Sequence, residues 1–140
     1  MLFRQLFDRE TCTYTYLLAD EREAILIDPV LEHVDRDAQI IDQLGLCLKF
    51  TLETHIHADH VTGAAMLRAQ VGCKAVVSQA GQALGADVPV SHGDVIQFGA
   101  RQLTVRATPG HTDTCVTYVL DDETMAFTGD ALMIRGCGRT

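Results

Sequence analysis

At 140 residues and 47% hydrophobic content, the chain is sized for one domain with a sizeable core, which argues against a second complete domain. Its 11 basic residues are scattered among 19 acidic ones, for a formal charge of −8, and this excludes nucleic acid as a partner. No apolar run approaches the ~18 residues of a membrane span, and MLFRQLFDRE is charged where a signal peptide needs an unbroken apolar stretch. The expectation is a soluble, cytoplasmic protein without a membrane partner.

Short β-type runs dominate. In chain order they are Cys12 to Leu18, Ala24 to Asp28, Leu48 to Leu52, Ala75 to Ser78, Val95 to Phe98, Gln102 to Ala107, Val116 to Leu120 and Met125 to Thr128. Two helical stripes interrupt them: Val34, Ala38, Ile41 and Leu44, closed by Gly45, and Ala64, Leu67 and Val71, closed by Gly72. Alternation of strand and helix in the first half predicts a mixed sheet with helix on at least one face. In the second half, Gly99 with Ala100, and Asp121 through Glu123, predict two hairpins. The closing GDALMIRGCGRT has no helix to cover the second sheet, so the expectation is one domain over residues 1–140, incomplete at its C-terminal end. An open sheet edge and an uncovered apolar face there predict self-association, with a homodimer as one form.

The five cysteines, Cys12, Cys47, Cys73, Cys115 and Cys137, are odd in number, widely spaced and without a CxxC pair, which fits free thiols in a reducing compartment. Metal-competent side chains cluster instead in three segments, THIHADH at 54–60, PGHT at 109–112 and TGDA at 128–131, each after a predicted strand. His55, His57, Asp59 and His60 fall within six positions. Neutral imidazole and anionic carboxylate both donate to divalent transition metals, and a metal offsets the cost of crowding them together. His111 follows a Pro-Gly turn, and Asp130 ends a strand. The three segments together point to a metal site more strongly than any one of them. His33 and His92 read as structural or solvent-exposed. Asp28, closing a strand in IDP, fits a turn or the support of a ligand better than direct ligation. Cys137, flanked by glycines, either approaches the metal centre or sits buried as a small hydrophobe.

The HxHxDH pattern at 55–60, followed by His111 and Asp130, resembles the signature of the metallo-β-lactamase superfamily. That resemblance implies an α/β (α+β) fold, an αββα sandwich with the metal at one edge of two facing sheets, of which the chain holds the first half and part of the second. Within the superfamily, THIHADHVTGAAMLR and GDALMIRGCGRT resemble the persulfide dioxygenases, the group of the ethylmalonic encephalopathy protein. The resemblance implies one Fe(II) per chain held by His55, His111 and Asp130. It further implies oxidation of glutathione persulfide with O2 to sulfite and glutathione. A two-histidine, one-carboxylate set suits that chemistry because it leaves open positions on Fe(II). His57, Asp59 and His60 would then orient the ligands through hydrogen bonds, and Arg139 would brace the loop carrying Cys137. Two alternatives stand beside this one. A glyoxalase II-like thioester hydrolase would hold two zinc ions, with His57, Asp59 and His60 as further ligands; an inactive metal-binding fragment would keep the ligands without turnover.

Overall fold

In the computed structural model, which describes residues 1–56, 62–81 and 86–139, burial sorts the strands into central and peripheral ones. Strand β3 (Glu23–Ile27), EAILI, buries four successive residues, the mark of a strand covered on both faces. It sits within a six-stranded sheet ordered β1 (Leu2–Asp8), β2 (Thr13–Asp20), β3, β4 (Cys47–Leu52), β5 (Lys74–Ser78), β6 (Val88–Val90). The first three strands form an antiparallel meander and β3 through β6 run parallel. Parallel neighbours need crossovers, supplied here by α1 (Val34–Gln43) between β3 and β4 and α2 (Ala64–Val71) between β4 and β5. A second sheet is an antiparallel meander of β7 (Val95–Phe98), β8 (Arg101–Ala107), β9 (Val116–Leu120) and β10 (Ala126–Phe127).

Two apolar clusters define the layers. Leu18, Ile25, Ile27, Leu52 and Val76 of the first sheet pack against Ile96, Phe98, Leu103, Val105, Tyr118 and Phe127 of the second. On the first sheet's other face, Leu17, Ala19, Leu26 and Leu48 pack against Val34 and Ile41 of α1 and Leu67 of α2. Among the described residues this makes three layers, helix on sheet on sheet. Three parallel strand ends and the loops of the second sheet meet at one edge, and there the candidate site lies.

Both helices and their glycine terminators match the sequence reading, Gly72 being the left-handed residue that ends α2. So do the mixed sheet and both hairpins. Strand β1 escaped it because LFRQLFD does not alternate: exposed Phe3 and Phe7 flank charged Arg4, as on an edge strand. β6 is three residues long and contains Pro89, a poor strand former tolerated here at a sheet edge. β2 begins at Thr13, since Cys12 adopts φ +56°, and β10 covers only Ala126–Phe127 of the expected Met125 to Thr128. The second sheet's outer surface is not the apolar face expected: Gln97, Gln102, Thr104 and Arg106 stand there beside Val95 and Val119.

Candidate metal centre

His55 lies three residues beyond β4 and is buried, with a side-chain exposure of 5%. Its position is fixed from three sides. The Thr54 amide donates to Asp28 Oδ1 (2.8 Å) and the Thr54 hydroxyl donates to Asp28 Oδ2 (2.7 Å). The Val116 amide at the start of β9 donates to the Thr54 carbonyl (2.7 Å), and the Tyr118 hydroxyl donates to the Glu53 carbonyl (2.7 Å). Burial pushes the Tyr118 phenol well above its ordinary range, so it remains a donor. Both sheets therefore clamp the backbone that carries His55.

The same bonds settle the tautomer of a neutral His55. Thr54 Oγ1 lies 2.9 Å from His55 Nδ1, and its single proton is already given to Asp28. The hydroxyl oxygen must accept from Nδ1–H, which puts the lone pair on Nε2. His111, in the loop between β8 and β9, reaches the same state by another route. Its Nδ1 is 3.0 Å from the Arg139 carbonyl oxygen, an atom that only accepts, so the lone pair is again on Nε2.

Both Nε2 atoms face one carboxylate. Asp130 Oδ2 lies 3.7 Å from His55 Nε2 and 3.3 Å from His111 Nε2, and the two rings meet edge to face at 5.3 Å between centroids. One potential ligand atom from each residue falls within 4.8 Å of the others, the one such group among the described residues. Ligand atoms each about 2.0–2.2 Å from a common ion are separated by about 3–4 Å, so the donor set fits a divalent metal. Without one, two imidazole lone pairs and a carboxylate would point at each other at a cost.

Two glycines make the approach possible. Gly129 holds φ +54°, and a Cβ there would collide with Thr54 Oγ1 and lie 3.3 Å from His55 Nδ1. Gly138 donates its amide to the Asp130 carbonyl (2.7 Å), and a Cβ there would collide with that carbonyl and lie 2.8 Å from His111 Nδ1. The chain after Asp130 thus turns back across His111 at Gly138.

A model of the Metallo-beta-lactamase superfamily matches residues 11–140. The chain belongs to that superfamily. Persulfide dioxygenase ETHE1, mitochondrial, of Mus musculus is 57% identical over 143 aligned residues, covering all of this chain and 56% of that protein. The crystal structure of ETHE1 from Myxococcus xanthus superposes with a TM-score of 0.95 at 52% identity, covering all of this chain and 62% of that one. A hydroxyacylglutathione hydrolase of Nitrobacter winogradskyi is 36% identical over 80% of this chain and 42% of its own length. The chain thus spans a little over half the length of the mouse relative. Its fold is a partial metallo-β-lactamase sandwich, as the sequence reading expected.

Around the triad the remaining residues sort by geometry. Asp28 supports His55 through Thr54 and is itself held at φ +54°. Thr54, unremarked in the sequence reading, left one signal there, a hydroxyl directly before the first ligand candidate. Arg139 braces His111 through its backbone carbonyl. Cys137 is exposed, which corrects the reading of a buried small hydrophobe; it occupies the turning chain whose next residue, Gly138, is the buried one. His33 Nε2 donates to Asp8 Oδ1 (2.8 Å) and His92 Nδ1 accepts from the Ala107 amide (3.1 Å), both structural ties. His57, Asp59 and His60 lie outside the described residues. All five cysteines are unbridged, and no described helix is long and apolar enough to cross a membrane.

Proposed function

We propose that this chain carries the metal centre of a non-haem Fe(II) persulfide dioxygenase, with His55, His111 and Asp130 as the ligands and glutathione persulfide and O2 as substrates. The observation that carries the reading is a two-histidine, one-carboxylate donor set in a chain 57% identical over its whole length to a protein named persulfide dioxygenase. The likeness to a hydroxyacylglutathione hydrolase is lower and covers less of the chain, so the binuclear zinc hydrolase is the second reading.

Iron held by the triad would supply the redox centre and the open positions at which O2 and a persulfide sulfur meet. The chain's own contribution is preorganisation. Asp28 and Thr54 keep the proton of His55 on Nδ1, and the Arg139 carbonyl does the same for His111, so both rings present Nε2 without rearrangement. Asp130 brings one negative charge against the two neutral imidazoles. The reaction balances as persulfide, O2 and water giving glutathione, sulfite and two protons. Free thiols throughout fit a reducing, aqueous compartment, whether the cytoplasm or the organelle named for the mouse relative.

The test is O2 uptake by anaerobically purified, Fe(II)-loaded chain on addition of glutathione persulfide, with a glutathione thioester in parallel. Uptake with stoichiometric sulfite supports the proposal. Thioester hydrolysis by a two-zinc form, with no O2 consumed, transfers support to the hydrolase.

A further inference from the structure

The segment following His111 does more than connect β8 to β9. Thr112 donates its amide to Cys115 Sγ (3.3 Å), and its hydroxyl shares hydrogen bonds with that sulfur (3.2 Å) and with Thr114 Oγ1 (2.9 Å). The Thr114 amide donates back to Thr112 Oγ1 (3.2 Å). These bonds close a tight turn directly after His111, with the buried Cys115 sulfur at its centre. The turn then grips both peptides that flank His55. The Ile56 amide donates to Thr114 Oγ1 (3.3 Å), and the Val116 amide donates to the Thr54 carbonyl (2.7 Å). Gly81 closes the junction from the β5 side, where a Cβ would lie 3.1 Å from Ile56 Cδ1 and 3.2 Å from Thr114 Cγ2.

We infer that Thr114 and Cys115 are positioning residues that set the separation of His55 from His111, and with it how tightly the triad holds a metal. Neither residue belongs to the triad. Cys115 shapes the turn next to one imidazole, and Thr114 transmits that shape to the peptide next to the other. The sulfur of Cys115 accordingly serves as a hydrogen-bond centre rather than a nucleophile. The inference rests on the triad being a metal site.

Zn2+ is the probe for the test, with its affinity for the whole 140-residue chain measured by competition with a chromophoric chelator. Thr114→Val keeps the branched shape and loses the acceptor; Thr114→Ser restores it. Binding by Thr114→Val is expected to weaken about 10-fold, the low end of the range for groups that orient metal ligands, with Thr114→Ser close to the parent. Cys115→Ala is expected to weaken binding similarly and Cys115→Ser to recover most of it. A metal-free readout runs alongside: the ring-to-ring NOE between His55 and His111 is expected to weaken in Thr114→Val and to return in Thr114→Ser. Parental Zn2+ affinity and an unchanged NOE in both Thr114→Val and Cys115→Ala would overturn the inference. A parent chain that binds no Zn2+ overturns the metal reading instead, and the NOE alone then decides whether Thr114 positions the rings.

Discussion

The two arms of the site are built differently. His55 stands at the end of a central parallel strand, buried, with Asp28, Thr54, Val116 and Tyr118 fixing its backbone and its tautomer. Asp130 follows a two-residue strand, is 42% exposed, and is held from one side by a chain that doubles back at Gly138 to reach His111. The first arm belongs to the framework, whereas the second is laid onto it. Disturbing the His55 arm is therefore expected to cost fold stability and metal together, and disturbing the Asp130 arm to cost metal alone.

The largest effect is expected where the arms touch. Gly129→Ala forces a left-handed residue to carry a Cβ into Thr54, which should destabilise the chain by more than about 2 kcal/mol in denaturant titration and weaken metal binding as well. Thr54→Val leaves Asp28 and His55 Nδ1 without their hydroxyl partner. It should lower stability by about 1–3 kcal/mol and metal affinity roughly 10- to 100-fold. Gly138→Ala sharpens the contrast, because it presses on Asp130 and His111 outside the core. Metal affinity should fall about 10-fold while the metal-free melting temperature stays within a degree or so of the parent. If Gly138→Ala melts as early as Thr54→Val, the two arms do not differ in the way described.

The smallest effect tests the framework away from the site. The Thr11 hydroxyl and amide, with His33, hold the Asp8 carboxyl at about 2 against an ordinary 3.8. Because the folded value is the lower one, this support is complete above the ordinary value and is lost as pH falls from there through about 2. Asp8→Asn should thus be slightly less stable than the parent at neutral pH, the gap closing over that acid range, with metal binding unchanged throughout.

Much of this was legible in the sequence. The gathering of His55, His111 and Asp130 was readable because metal-competent side chains stand out at strand ends, and those ends were marked by apolar runs followed by Pro, Gly or clustered histidines. Gly99–Ala100 and Asp121–Glu123 were readable because hairpin turns have their own chemistry. What stayed hidden depends on contacts distant in sequence. The partnership of Asp28 with Thr54 spans 26 positions, and its meaning appears only once β3 and β4 lie side by side. Gly138 against His111 spans a similar distance. β1 was missed because its side chains follow an edge strand's mixed exposure rather than alternation, and the burial of Cys137 was misjudged because in this returning loop it is Gly138, with no side chain to signal it, that is buried while residues 132–137 stay exposed.

The central claim is that three residues from three strand ends hold one metal, and the most direct measurement is elemental analysis of the anaerobically purified chain beside its Asp130→Ala variant. The account predicts about one iron per parent chain and a variant that emerges from gel filtration without metal. Iron retained by Asp130→Ala, or two zinc ions per parent chain, would contradict it.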